Sequence, residues 1–179
     1  MAGFFVADNP PSLVLPKALG IGFLLAGVQV LFCILLADGP TVFEKYLTLY
    51  YWDSGWYASI VNRGYINNGS TRLGEYVANV AFFPAYPLLA QGFKRIFPFL
   101  LTPVALLLTA QLACVGFWTT FVLLLDRLGL APRRCALVIL IMLCHPASYF
   151  MVVGYSESLF LMALSGFIFW ESRLRDKDL

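Results

Sequence analysis

Long runs of apolar residues alternate with polar segments along this chain of 179 residues. Two runs, 18–37 and 102–125, each have the length of a helix that crosses a membrane, about 20 residues. A third apolar stretch is interrupted at 145–158 and predicts two shorter spans, over 136–153 and 157–170. The pattern therefore predicts an all-α polytopic membrane protein with about four transmembrane helices.

A long polar loop, 38–101, separates the first two spans. Near its start, apolar and aromatic residues recur at helical spacing and predict one interfacial helix over 43–61. The residues that make this pattern are Phe43, Tyr46, Leu47, Tyr50 and Tyr51. Farther on, 77–93 is apolar enough to suggest a fifth span, but Pro84 and Pro87 interrupt helix hydrogen bonding. We interpret 77–93 as a second interfacial or re-entrant segment.

Composition agrees with a membrane protein, because 60% of the residues are hydrophobic and only 12% are charged. A soluble domain has roughly 45–50% apolar and about 25% charged residues. The chain therefore reads as a single membrane domain over 1–179. The 12 basic and 10 acidic residues form no like-charged run, so nucleic acid is not an expected partner. The four cysteines lie in or beside apolar runs without metal-ligand spacing, which favours a structural role.

Basic residues indicate the orientation, since short loops rich in Lys and Arg stay on the cytoplasmic side. The turn at 126–134 and the tail at 171–179 each contain three Lys or Arg residues, whereas the break at 145–158 contains no Lys or Arg. Turn and tail are therefore predicted to be cytoplasmic. The loop 38–101 and the break 145–158 then share the opposite face. An odd number of spans would contradict this pattern.

Two acidic residues on that face are candidates for chemistry. Asp53 lies within the aromatic pattern of the loop, and Glu157 opens the last span. An ionisable group at a membrane segment is a functional hypothesis. The alternatives are that Asp53 caps or breaks a helix or simply reaches water, and that Glu157 complements a helix dipole. A serine hydrolase using Ser156 and His145 lacks the G-x-S-x-G turn. A small channel or carrier would need more polar residues inside the spans.

Several short motifs resemble a known family. They are YWDSGWY at 51–57, RGY at 63–65, AFFPAYPLL at 81–89, HPASYF at 145–150 and YSESLF at 155–160. In order and spacing they are similar to the successive motifs of the PIG-V family, which comprises the GPI mannosyltransferase 2 enzymes and bacterial relatives. That family commonly has Asn, Thr or another small polar residue where this chain has His145.

The resemblance implies a GT-C glycosyltransferase with a juxtamembrane catalytic loop. Its donor would be a polyprenyl-phosphate sugar such as dolichyl-phosphate mannose, with no metal or separate cofactor. The essential acidic residue of the family maps to Asp53, expected to be the general base, and a second carboxylate maps to Glu157. The substrate-binding candidates are Trp52, Trp56, Tyr57, Arg63, Arg72, His145, Tyr155 and Ser156.

Members of the family continue through further spans, so we expect this chain to correspond to their N-terminal part. The expected location is the inner or plasma membrane of a bacterium or the endoplasmic reticulum membrane of a eukaryote. Expected partners are membrane lipids, the lipid-linked donor and further membrane subunits or segments. The alternative is a non-catalytic fragment or accessory membrane subunit of such an enzyme.

Overall fold

The computed structural model describes residues 13–66 and 78–175. All regular secondary structure in these two ranges is helical. The α-helices are α1 Leu15–Leu36, α2 Val42–Leu47, α3 Ser54–Arg63, α4 Ala85–Ile96, α5 Thr102–Arg127, α6 Pro132–Cys144 and α7 Glu157–Arg175, and a 3-10 turn, Pro146–Met151, lies between α6 and α7.

The central helix is α5, which packs against α1, α4 and α7. It is apolar on every side, as expected for a helix with neighbours all round. Trp118, Leu106 and Leu107 are fully buried along it. Small residues allow close approach: a Cβ on Gly116 would clash with Met162 of α7, and one on Gly22 of α1 would clash with Thr119. The bundle core therefore follows α5 from end to end.

Contacts along α5 show the direction of α7. The Ser158 hydroxyl donates to the Ala110 carbonyl over 2.8 Å, and farther along Ser165 bonds to Thr120 over 2.5 Å. Both helices thus begin at the same end, and α7 runs parallel to α5.

The remaining long helix, α1, runs antiparallel to α5. Residues near its N-terminus lie beside the end of α5, since the Leu13 amide donates to the Asp126 carboxylate over 2.9 Å. Farther along α1, Gln29 reaches Trp118 in the middle of α5. The C-terminus of α1 and the N-termini of α5 and α7 therefore gather at one end, which we call the loop end.

Two helices of the described ranges, α1 and α5, are long and apolar enough to cross a membrane. Only 17% of the most apolar window of α1 is buried, against 67% of that of α5. The exposed apolar face of α1 suits contact with lipid. The finding supports membrane association, but the predicted four spans are not confirmed. At 13 residues α6 is about 20 Å long, and α7 includes Glu157, Glu171, Arg173 and Arg175.

The single interfacial helix predicted over 43–61 is wrong, because the structure divides it into α2 and α3. The Thr48 hydroxyl bonds to the Lys45 carbonyl over 2.7 Å, a local bond that competes with helix continuation. Trp52 then adopts a positive φ of 40°, which no α-helix accommodates. The helical spacing of the aromatic residues continues across this break, which long-range contacts determine.

The segment predicted over 77–93 forms α4, which begins and ends later, at Ala85 and Ile96. Pro84 is its N-cap and Pro87 falls in its first turn, where backbone amides need no helical partner. The prolines therefore start the helix instead of kinking it. With 12 residues, about 18 Å, α4 is too short for a fifth span.

The third span predicted over 136–153 is also wrong in its second half. The helix begins earlier, at Pro132, and stops at Cys144, because proline disfavours the helical conformation in the residue before it. His145 is accordingly extended, with φ −69° and ψ 131°. Residues 145–156, which we call the unwound segment, connect α6 to α7. The final helix starts at Glu157 as predicted and continues to Arg175.

Candidate functional site at the loop end

The polar loop and the unwound segment meet at the loop end through two small residues. Ser54, at the start of α3, is fully buried and donates its hydroxyl to the Gly154 carbonyl over 3.1 Å. The Gly154 amide in turn donates to the Leu49 carbonyl over 3.2 Å. A Cβ on Gly154 would lie 2.6 Å from the Ser54 Oγ. The approach therefore depends on glycine at 154.

A second link joins Tyr57 to Ser156. Their hydroxyl oxygens are 2.8 Å apart, and Tyr57 is buried. Phe82 and Tyr86 support the Tyr57 ring edge-on, at centroid distances of 5.0 and 4.8 Å. Tyr86 itself donates to the Leu106 carbonyl of α5 over 2.9 Å. Burial raises the pKa of the Tyr86 phenol well above its ordinary value, so it remains a donor. Residues of the motif at 81–89 thus pack against α3 and hold the Tyr57 ring in place.

Asp53 occupies the N-cap position of α3, but its side chain makes no capping hydrogen bond. Its backbone carbonyl accepts the amides of Trp56 and Tyr57, over 3.0 and 3.2 Å. The carboxylate is exposed at the surface of the loop end. The alternative in which Asp53 breaks the helix is right about the boundary, and the one in which its carboxylate caps the helix is wrong.

Glu157 lies at the same place as Asp53, because each carboxylate is next in sequence to a residue of one of these two links. Asp53 precedes Ser54, which bonds to Gly154, and Glu157 follows Ser156, which bonds to Tyr57. Tyr155, next to Ser156, is buried, and its ring stacks on Phe150 at 5.8 Å. The structure therefore brings Asp53, Tyr155, Ser156 and Glu157 together.

A groove of about 330 Å³ opens beside Glu157, between α6, the unwound segment and α7. Its size falls within the range of small-molecule sites, about 300–1,000 Å³. Apolar side chains form most of the lining, namely Met142, Phe150, Met151, Phe160 and Leu161. The ionisable side chains in that lining are His145 and Glu157. An apolar ligand with a polar head would fit such a groove.

His145 has a local role that fits its position before Pro146. Its Nδ1 accepts the Ala147 amide over 3.1 Å, as the side chain of an Asn or Thr would at the start of a helical turn. Because Nδ1 is an acceptor, the neutral ring carries its proton on Nε2. His145 can therefore cap the 3-10 turn and still offer an Nε2–H donor to a ligand.

The three aromatic candidates of the loop have different environments. Tyr57 is buried and the Trp56 ring stacks on that of Phe82 at 6.1 Å, so both rings already contact other side chains of the protein. Trp52 is 73% exposed, with its ring 5.2 Å from that of Tyr51. Of the three, the Trp52 indole is the one most available to a ligand.

The basic candidates are not gathered at the carboxylates. Arg63 ends α3, about 15 Å along the helix from Asp53, and its guanidinium donates to Ser59 over 3.3 Å. Arg72 lies outside the described residues. His145, on the groove, is the basic candidate that the structure places beside Glu157.

Sequence reasoning missed the residues that join the two parts of the site. Ser54 belongs to the motif at 51–57 and Gly154 to the break at 145–158, but neither pattern predicts that the two residues touch. Phe82 was likewise only part of a motif. Its place in the aromatic block at 81–89 was a signal, but contact with Tyr57 required the fold.

Comparisons of the chain with protein-family models, curated proteins and solved structures find no match. The resemblance to the PIG-V family thus rests on the motifs themselves.

Proposed function

We propose that this protein is a glycosyltransferase of the GT-C type, related to the PIG-V family, that transfers a sugar from a polyprenyl phosphate to a hydroxyl acceptor. One observation carries the proposal. Two motif carboxylates far apart in sequence, Asp53 and Glu157, lie at the loop end, where the Ser54–Gly154 and Tyr57–Ser156 links join their segments, beside an apolar groove with one basic residue. A carboxyl pair suits glycosyl chemistry, and the groove suits a lipid-linked substrate.

In the proposed reaction, Asp53 removes the proton from the acceptor hydroxyl, which attacks the anomeric carbon of the sugar. The bond from that carbon to the phosphate oxygen breaks, and the polyprenyl phosphate leaves. Attack opposite the leaving group inverts the anomeric centre. A positioned general base contributes about 10²–10⁴-fold to such a reaction.

Glu157 would stabilise the positive charge that develops on the sugar ring as the phosphate departs. The Nε2–H of His145 would donate to the phosphate, and the groove would receive the first isoprene units. Mannose is the sugar that the resemblance favours. The donor would reach the groove from the bilayer.

The proposed membrane arrangement retains both predicted faces. The loop end lies on the lumenal or periplasmic side, and the turn after α5 lies in the cytoplasm. In this arrangement α6 with the unwound segment makes one crossing and α7 another, giving four. Short Gly- or Pro-interrupted helices line binding sites in other membrane proteins, where irregular backbone is tolerated beside a cavity.

The test is sugar transfer in membranes that contain this protein, from a radiolabelled polyprenyl-phosphate mannose to endogenous acceptors. We expect Asp53→Asn to lower transfer by about 10²-fold or more. Asp38→Asn, the same change at an exposed position of the same loop, is the matched control and should retain activity. Equal activity of Asp53→Asn and the unaltered protein would refute the assignment of Asp53 as the general base. A non-catalytic subunit would show no transfer in any variant.

A further inference from the structure

Two glutamines on the long helices hold the unwound segment by its carbonyl groups. On α1, the Nε2 of Gln29 donates to the Ser148 carbonyl over 3.4 Å. On α5, the Nε2 of Gln111 donates to the Val152 carbonyl over 3.3 Å. The two bonds come from different helices: Ser148 lies within the 3-10 turn, and Val152 directly follows it.

The other end of each carboxamide accepts from an aromatic side chain. Trp118 donates its indole N–H to the Oε1 of Gln29 over 2.6 Å, and Tyr46 donates its hydroxyl to the Oε1 of Gln111 over 3.1 Å. An indole N–H only donates and a carbonyl only accepts, so Gln29 can satisfy both partners in one orientation. Each glutamine is therefore the middle member of a three-membered chain: aromatic donor, carboxamide, backbone carbonyl.

Depth in the bundle explains why these bonds matter. Gln29 is seven residues before the end of α1, about 10 Å, and Gln111 is nine residues after the start of α5, about 13 Å. A 3-10 turn pairs its carbonyls through i to i+3 bonds of poorer geometry, and the residues after it lack helical partners. In an apolar layer an unpaired carbonyl is unfavourable. The segment thus depends on side chains from its neighbours.

We propose that Gln29 and Gln111 are positioning residues that fix the unwound segment and, through it, the groove wall and Glu157. Met151, between the two anchored carbonyls, and Val152, which carries the second, are buried, and Ser156 and Glu157 follow four and five residues after Val152. Ser148 and Met151 line the groove. The catalytic consequence rests on the proposed function, whereas the anchoring itself can be measured without activity.

Hydrogen exchange by mass spectrometry tests the anchoring on the purified protein in lipid nanodiscs. In Gln29→Met and Gln111→Met we expect the amides of 148–154 to exchange at least tenfold faster, with α5 unchanged. Gln91→Met is the matched control, because Gln91 donates in the same way to the Val61 carbonyl of α3 over 3.3 Å. It should leave 148–154 unchanged. Unaltered exchange at 148–154 in both test variants would overturn the proposal.

A milder substitution tests the same anchoring if the glutamine variants do not fold. Tyr46→Phe removes only the hydroxyl that orients Gln111 and keeps the ring. We expect it to accelerate exchange in 148–154 less than Gln111→Met does. The double variant should match Gln111→Met alone, because the hydroxyl acts through the glutamine. Additive effects of the two changes would contradict a chain through Gln111.

Kinetics separate positioning from simple stability. Gln111 does not line the groove, so Gln111→Met should lower kcat for sugar transfer at least tenfold while KM for the donor stays within about twofold. Unchanged kcat with faster exchange would overturn the positioning role. An unaltered protein without transfer activity would instead overturn the proposed function, and exchange would still decide whether the glutamines anchor the segment.

Discussion

The contact between Ser54 and Gly154 can be tested by adding one methyl group. In Gly154→Ala the new Cβ would lie 2.6 Å from the Ser54 Oγ, closer than real contacts allow, and 3.2 Å from the Ser54 Cβ, which is tight. Gly154 does not have a positive φ, so the cost is steric. Overpacking of this kind costs about 1–3 kcal/mol, and loss of the Ser54 hydrogen bond costs about 1 kcal/mol more. We expect a loss of about 2–4 kcal/mol in the free energy of unfolding.

Removal of the Ser54 side chain in the Gly154→Ala variant should restore part of the lost stability. Ser54→Gly removes both clashing atoms, so the double variant with Gly154→Ala should be more stable than Gly154→Ala alone. Gly92→Ala is the control, because open space surrounds Gly92 on α4, and it should be neutral or slightly stabilising. Denaturant unfolding of the purified protein measures all four variants. A neutral Gly154→Ala, or a double variant no more stable than it, would refute the contact.

Two further predictions concern the same end of the bundle. Tyr57→Phe should lower the free energy of unfolding by about 1 kcal/mol, because it removes the bond to Ser156 but keeps the ring contacts; an unchanged denaturation midpoint would contradict that bond. Trp52→Asn should gain about 1 kcal/mol by relieving the positive φ and yet lose sugar transfer, whereas Trp52→Ala should show the loss without the gain.

The long apolar helices could be predicted because hydropathy alone determines them. The central helix α5 begins at Thr102 as expected, and α1 differs from its predicted bounds by a few residues. The break between α2 and α3 could not be predicted, since Tyr50 and Tyr51 continue the helical period while Leu49 turns to bind Gly154. Periodicity indicates only which face a helix would bury. Contacts with Gly154, 100 residues after Ser54, favour a break at this point instead.

For the site, charge counting predicted that the loop and the 145–158 break share a face, and their contacts at the loop end agree. The proximity of Asp53 to Glu157 did not follow from the sequence, because it depends on two small residues that pack together. The role of His145 as a cap was also hidden, since Nδ1 bonding to the next turn depends on the extended backbone before Pro146. The distance of Arg63 from Asp53 was likewise not evident from the motifs, because it follows from the length of α3.

A disulfide between positions 54 and 154 tests the central claim, that the loop and the unwound segment form one site. The Ser54 Cβ and a Cβ on Gly154 would be 3.2 Å apart, a few tenths of an ångström inside the usual disulfide separation of about 3.5–4.5 Å. In Ser54→Cys/Gly154→Cys, mild oxidation in membranes should produce the linked peptides in high yield by mass spectrometry. A pair of cysteines at 54 and 92 should give no such link. Absence of the 54–154 link under conditions that oxidise accessible thiols would contradict the account.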